Sequence, residues 1–97
     1  MHVITYKRIK EFVANHPESK VALGNWYKKM KRSNFDNVNE IRRSFKDSDY
    51  IGNQRFVFNI CNNKFRLVTV ILISTQIVLI RFIGTHEEYV RINSKII

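Results

Sequence analysis

Cysteine, proline, glycine and acidic residues are all scarce in this 97-residue chain, and each scarcity closes off a class of protein. Cys61 is the only cysteine, so no internal disulfide can form, which fits a reducing, cytoplasmic setting. One proline, Pro17, and three glycines, Gly24, Gly52 and Gly84, leave no linker, no low-complexity stretch and no glycine-rich phosphate loop. The longest apolar run, Leu67 to Ile73, is far short of the ~20 residues that span a bilayer. The start, MHVITYKRIK, has no apolar core of a secretory signal. The carboxylates are scattered, and no His, Cys, Asp or Glu cluster has metal-ligand spacing, so neither a metal nor another cofactor is expected. What the chain has in excess is positive charge. With 17 Lys and Arg against 8 Asp and Glu, its net charge of +9 asks for an anionic partner, nucleic acid before a membrane surface.

The length suits one small domain over residues 1–97, with no room for a second core. Composition shifts near residue 50, from helix-like segments carrying most of the lysines to β-branched and aromatic runs. That order predicts an α+β fold with two to three N-terminal helices packed on an antiparallel sheet. Residues 5–15 form the first helix, with Tyr6, Ile9, Phe12 and Val13 on its inner face. Pro17 opens the second, whose Leu23, Trp26, Tyr27 and Met30 keep the spacing of a buried stripe. Asn37 and Glu40 fit a capping box for a short third helix that turns Val38, Ile41 and Phe45 inward. Three main strands follow at about 54–61, 64–73 and 76–84, and Met1 to Ile4 read as a short edge strand.

Turn chemistry then sets the register. Asn62-Asn63 is a strong two-residue hairpin signal because Asn tolerates positive φ; Ser74-Thr75 is a weaker one. Two-residue loops pair Cys61 with Lys64 and Ile73 with Gln76. Counting outward sets Asn59 opposite Arg66, Arg66 opposite Ile83, and Arg81 opposite Val68. Asn59, Lys64, Arg66 and Arg81 then share one face of the sheet. Phe56, Phe58, Ile60, Phe65, Leu67, Ile71, Ile80 and Phe82 fall on the other, which the helices cover. A one-residue slip in either hairpin would scatter this set.

A cation inside a strand must face solvent or a bound anion, since burying it unpaired costs several kcal/mol. Strand arginines often serve only solubility. Here, however, Asp and Glu are absent from residues 50–86, so Arg66 and Arg81 would repel each other unless an anion sits between them. Guanidinium forks match phosphate oxygens, and phosphate is the preferred reading. Lys64 serves either phosphate or simply a wet hairpin end. His2 and His16 read as surface residues, whereas His86 follows the strand of Arg81, and an imidazole can move a proton at either end of a phosphoryl transfer. Tyr89 fits equally well as a hydrogen-bonding or base-stacking group and as a partly buried aromatic. Lys28, Lys29, Lys31 and Arg32 are most simply solvated helix surface, of a size that suits RNA backbone contact.

Two runs, FVFNICNNKFRLV (56–68) and VLIRFIGTHEEYVRI (78–92), resemble the signature of HigB-type toxins, within the RelE-like superfamily of toxin–antitoxin systems. The segment NHPESKVALGNWY (15–27) resembles that family's second helix. The resemblance implies a RelE-like α+β domain and a ribosome-associated endoribonuclease, or mRNA interferase, that cuts mRNA at the small-subunit decoding site without a metal. It implies silencing by a HigA-like helix-turn-helix antitoxin, which leaves no direct DNA binding to this chain. Arg66 and Arg81 match the arginines that hold the scissile phosphate, His86 and Tyr89 the groups beside it, and Asn59 and Lys64 neighbouring sheet positions. Which of His86 and Tyr89 acts as acid or base stays open. The alternative is a non-catalytic RNA- or ribosome-binding module.

Overall fold

The computed structural model describes residues 1–93 and 97. In chain order it has β1 (His2–Ile4), α1 (Tyr6–Asn15), a 3₁₀ turn (Pro17–Ser19), α2 (Lys20–Arg32), α3 (Val38–Ser44), β2 (Ser48–Gly52), β3 (Arg55–Ile60), β4 (Phe65–Leu72), β5 (Ile77–Thr85) and α4 (His86–Val90). The strands form one sheet in the order β1-β5-β4-β3-β2, antiparallel except for β1, which runs parallel to β5. The architecture is α+β, as the composition shift implies. Among the described residues no helix is long and apolar enough to cross a membrane.

The three larger helices cover one face of the sheet. Leu23, Trp26 and Met30 of α2 and Ile41 of α3 are buried against Phe56, Phe58, Phe65, Leu67, Ile71 and Ile80. Each such side chain stabilises the fold by ~1.5–3 kcal/mol relative to an exposed one. Trp26 and Phe45 both meet Phe58 edge-on, with centroids 5.4 and 5.2 Å apart. Tyr6 does not join this core. It is 40% exposed and packs its ring on Tyr27 at 4.4 Å instead. Asn37 caps α3 by accepting from the Glu40 N–H at 3.0 Å, but Glu40 Oε1 reaches one residue further back, to the Asp36 N–H at 2.7 Å.

The β3–β4 hairpin pairs as the asparagines dictate. Asn59 faces Arg66, Ile60 faces Phe65, and the Lys64 N–H closes on the Cys61 carbonyl at 3.1 Å. Cys61, Asn62 and Asn63 all carry positive φ, of 58°, 54° and 69°. The β4–β5 turn also closes as counted, with the Gln76 N–H on the Ile73 carbonyl at 3.3 Å. Its positive φ falls on Gln76 rather than on the β-branched Thr75. The Gln76 amide then clasps the chain before α3, accepting from the Phe35 N–H at 3.1 Å and donating to the Phe35 carbonyl at 2.7 Å.

Further along, β4 and β5 leave the counted register. Pairing holds from Leu72–Ile77 to Thr69–Ile80, then jumps to Val68–Phe82, so Arg81 is a bulge residue without a β4 partner. Arg66 therefore faces Gly84, not Ile83, and Val68 faces Phe82, not Arg81. The insertion also exchanges two apolar side chains. Ile83 packs against the core, while Phe82 moves to the face of Arg66 and Val68. Two elements extend the predicted set: β2, which pairs with β3 across an Asn53-Gln54 turn, and α4, a short helix after β5.

Candidate active site

The candidate residues of the sheet's far end lie on β4 (Arg66), on β5 (Arg81) and on α4 (His86 and Tyr89). Arg66 lies directly across from Gly84, which stands three residues after Arg81 and two before His86. Bulge and helix start thus frame the strand position that Arg66 faces.

Each side chain is set by a local device. Arg66 is half-buried, and its Nη1 donates to the Asn63 carbonyl at 2.7 Å and the Phe65 carbonyl at 3.3 Å. The hairpin loop thus holds one guanidinium nitrogen, while a guanidinium carries five N–H donors in all. Arg81 is exposed, and its backbone carbonyl accepts from Arg8 Nη1 at 2.8 Å. His86 is exposed at the first position of α4, and Tyr89, one turn on, is half-buried.

Thr85 and Glu88 fix that helix start by a reciprocal cap. Thr85 Oγ1 accepts from the Glu88 N–H at 3.2 Å, and Glu88 Oε1 accepts from the Thr85 N–H at 2.8 Å. The Glu88 carboxyl is held below its ordinary range, chiefly by that Thr85 N–H. Gly84 beneath it is buried, with the Phe82 ring lying over it. The pattern Thr-x-x-Glu at 85–88 was the signal from which α4 could be read.

The other candidates disperse. Asn59 is half-buried opposite Arg66, and its N–H donates to the Asp47 carbonyl at 2.9 Å. Lys64 turns to the 3₁₀ turn, pairing its Nζ with Glu18 Oε2 at 3.1 Å. The Glu18 carboxyl is held low, first by its own backbone N–H and then by Lys64. An acidic partner for Lys64 thus comes from far outside residues 50–86, where the sequence offers none. Lys28, Lys29, Lys31 and Arg32 are exposed on α2, in the layer behind the sheet from Arg66. Even there they separate: Lys29 donates to the Ser44 carbonyl and covers the Phe45 ring, Lys31 lies over Tyr27, and Lys28 borders a groove between α1 and α2.

His16 is not the plain surface residue expected. It is half-buried, stacked on Phe12 at 4.2 Å and edge-on to Phe65 at 5.4 Å. Among the described residues no group of three or more His, Cys, Asp or Glu is placed to hold a metal ion. Chemically, β4 and β5 offer guanidinium donors for an anion, and the start of α4 an exposed imidazole.

Comparison with known proteins gives this arrangement a context. A family model for the HigB toxin, described as the RelE-like toxic component of a toxin-antitoxin system, matches residues 19–92. The chain is 32% identical over 92 residues to the mRNA interferase toxin HigB of Escherichia coli (strain K12), covering 92% of this chain and 88% of that protein. The mRNA interferase HigB of Shigella flexneri matches with the same identity and coverage. That of Escherichia coli O6:H1 is 25% identical over 91 residues, again covering 92% of this chain and 88% of its own.

Proposed function

The chain belongs to the HigB toxin family, the RelE-like toxic component of a toxin–antitoxin system, and on that premise we propose that it is an endoribonuclease cutting mRNA on the ribosome. The substrate's 2′-hydroxyl attacks the adjacent phosphorus, the P–O5′ bond breaks, and the products carry a 2′,3′-cyclic phosphate and a 5′-hydroxyl. Arg66 and Arg81 neutralise the charge that grows on the phosphoryl oxygens, an effect worth ~10²–10³-fold per donor. His86 transfers a proton at one end of the displacement, with Tyr89 orienting the nucleotide or serving at the other end. Asn59 and Lys64 contact flanking nucleotides, and the cations of α2 meet RNA backbone. No step calls for a metal or another cofactor.

The observation that supports this reading is that Arg66 faces Gly84, which stands three residues after Arg81 and two before His86. The setting is the cytoplasm, where mRNA is translated. A HigA-like helix-turn-helix antitoxin is the inhibitor, and it docks mainly on the helices.

The test combines cleavage mapping with variants. Translating ribosomes are incubated with the protein and a chelator that takes transition metals but leaves magnesium, and new mRNA 5′ ends are mapped. Cuts should persist, while Arg66→Ala and Arg81→Ala slow them by ~10²–10³-fold and relieve growth arrest with the fold intact. Ribosomes that bind the protein and keep their mRNA whole would instead make this an RNA-binding module. Two arginine variants that stay fully toxic would place the chemistry elsewhere.

A further inference from the structure

The parallel ladder between β1 and β5 stops at Ile4–Leu79, yet the next two residues of β5 are still held from that side. Thr5 Oγ1 accepts from the Ile80 N–H at 3.1 Å, and the Ile80 carbonyl lies 3.4 Å away. Arg8 Nη1 then donates to the Arg81 carbonyl at 2.8 Å. Two side chains from the start of α1 thus continue the ladder after the strand has ended.

The cost sits at Thr5. Its φ is 70°, in the left-handed region that a β-branched residue rarely adopts, and its hydroxyl makes no capping bond to α1. An ordinary N-cap would have used that hydroxyl on the helix. Here the oxygen accepts from β5 instead, while the hydroxyl donates to the Ile4 carbonyl.

The bulge explains why Arg8 is needed. In a regular antiparallel strand the carbonyls of successive residues point to opposite sides. Because Ile80 turns toward Thr5, Arg81 should turn its carbonyl to β4. It turns instead to Arg8, on the outer edge, because the bulge has removed its β4 partner. The carbonyl that the bulge frees is the one Arg8 takes.

We propose that Arg8, seated by Thr5, is a positioning residue for Arg81: it locks the bulge from which the Arg81 guanidinium is presented to phosphate. This rests on the nuclease reading above. The Arg8 contact is exposed, so its loss changes stability little, but it lets the bulge slide and the guanidinium wander. A misplacement of ~1 Å at a catalytic group costs up to ~10²-fold in rate.

A double-mutant cycle on the full-length chain tests it, reading single-turnover cleavage of ribosome-bound mRNA. Arg8→Leu should slow cleavage by at least about ten-fold when Arg81 is present and by less than about two-fold in an Arg81→Ala background. Arg8→Lys, which keeps a donor, should recover most of the rate, and all variants should melt close to the parent. The Arg81 carbonyl carbon resonance should move in Arg8→Leu and stay in Arg8→Lys, a readout independent of activity. Equal losses in both backgrounds would mean that Arg8 touches RNA by itself, and an Arg8→Leu chain of full activity would mean that it does nothing; either overturns the proposal. An Arg81→Ala chain that cuts normally overturns the nuclease site itself, a result distinct from both.

Discussion

Phe82 occupies the space that a side chain at Gly84 would need: a Cβ there would stand 2.5 Å from the ring's Cζ and 3.0 Å from Glu88 Oε1. The contact joins the bulged strand to the cap of α4, and Arg66 lies across from it on β4. Gly84 therefore lets the Phe82 ring and the Glu88 carboxylate approach closely, without any demand for positive φ.

Gly84→Ala should push the Phe82 ring aside and strain the Thr85–Glu88 cap, an overpacking cost of ~1–3 kcal/mol. At ~4–8 °C per kcal/mol for a chain of this size, calorimetry resolves the change easily. Cleavage should fall as well, because the shifted cap carries His86 with it. Gly24→Ala is the control, since nothing lies within 4 Å of a Cβ there and the residue is inside α2. That change should stabilise by up to ~1 kcal/mol. Equal melting temperatures for the two variants would remove the argument for Gly84.

The same cap should respond to acid. The folded pKa of Glu88 lies below the ordinary 4.5, chiefly because the charged carboxylate accepts from the Thr85 N–H. A depressed carboxylate stabilises fully above its unfolded pKa and loses that contribution as pH falls through the folded value. Amide resonances of Thr85 and Glu88 should hold steady down to about the ordinary carboxylate value, then shift as the start of α4 frays below it. Glu88→Gln should remove the acid step, and Thr85→Ala should weaken α4 by ~1 kcal/mol at neutral pH. A cap that survives full protonation of Glu88 would show that the carboxylate charge is idle there.

Much of this arrangement could be read from the chain, and the parts that could not share a cause. Asn62-Asn63 announces its turn because few other residues accept positive φ, so the Asn59–Arg66 pairing was legible. The buried stripe of α2 was legible because four apolar residues keep one helical period. The Arg81 bulge was not. Phe82 and Ile83 are both large and apolar, so either could fill the core, and the alternating pattern reads equally well in both registers. The strand β2, SDYIG, has no alternating burial because it lies at the sheet edge, half in water. With five residues α4 is too short for periodicity, and only its cap betrays it. Lys64 turned to Glu18 through a contact 46 residues away in sequence, which no local pattern encodes.

The proposed antitoxin needs a surface, and the helical layer offers a groove of about 780 Å³ between α1 and α2. Its floor is apolar, with Ile9 and Val13 on one side and Val21, 73% exposed, on the other. Lys10, Lys20 and Lys28 border it, no carboxylate lines it among the described residues, and Gly24 leaves its middle empty. A partner segment with an acidic rim and aliphatic anchors at helical spacing matches both features, and charge would speed its association at low salt. Gly24→Leu should fill the groove without disturbing α2. The variant should still arrest growth, yet need at least about ten-fold more antitoxin for rescue, as expected for a lost anchor of ~1.4 kcal/mol or more. Hydrogen exchange on the parent complex should show new protection over residues 9–28. Protection confined to 64–68 and 81–86 would mean that the antitoxin covers Arg66 and Arg81 directly, and the groove would then have no part in inhibition.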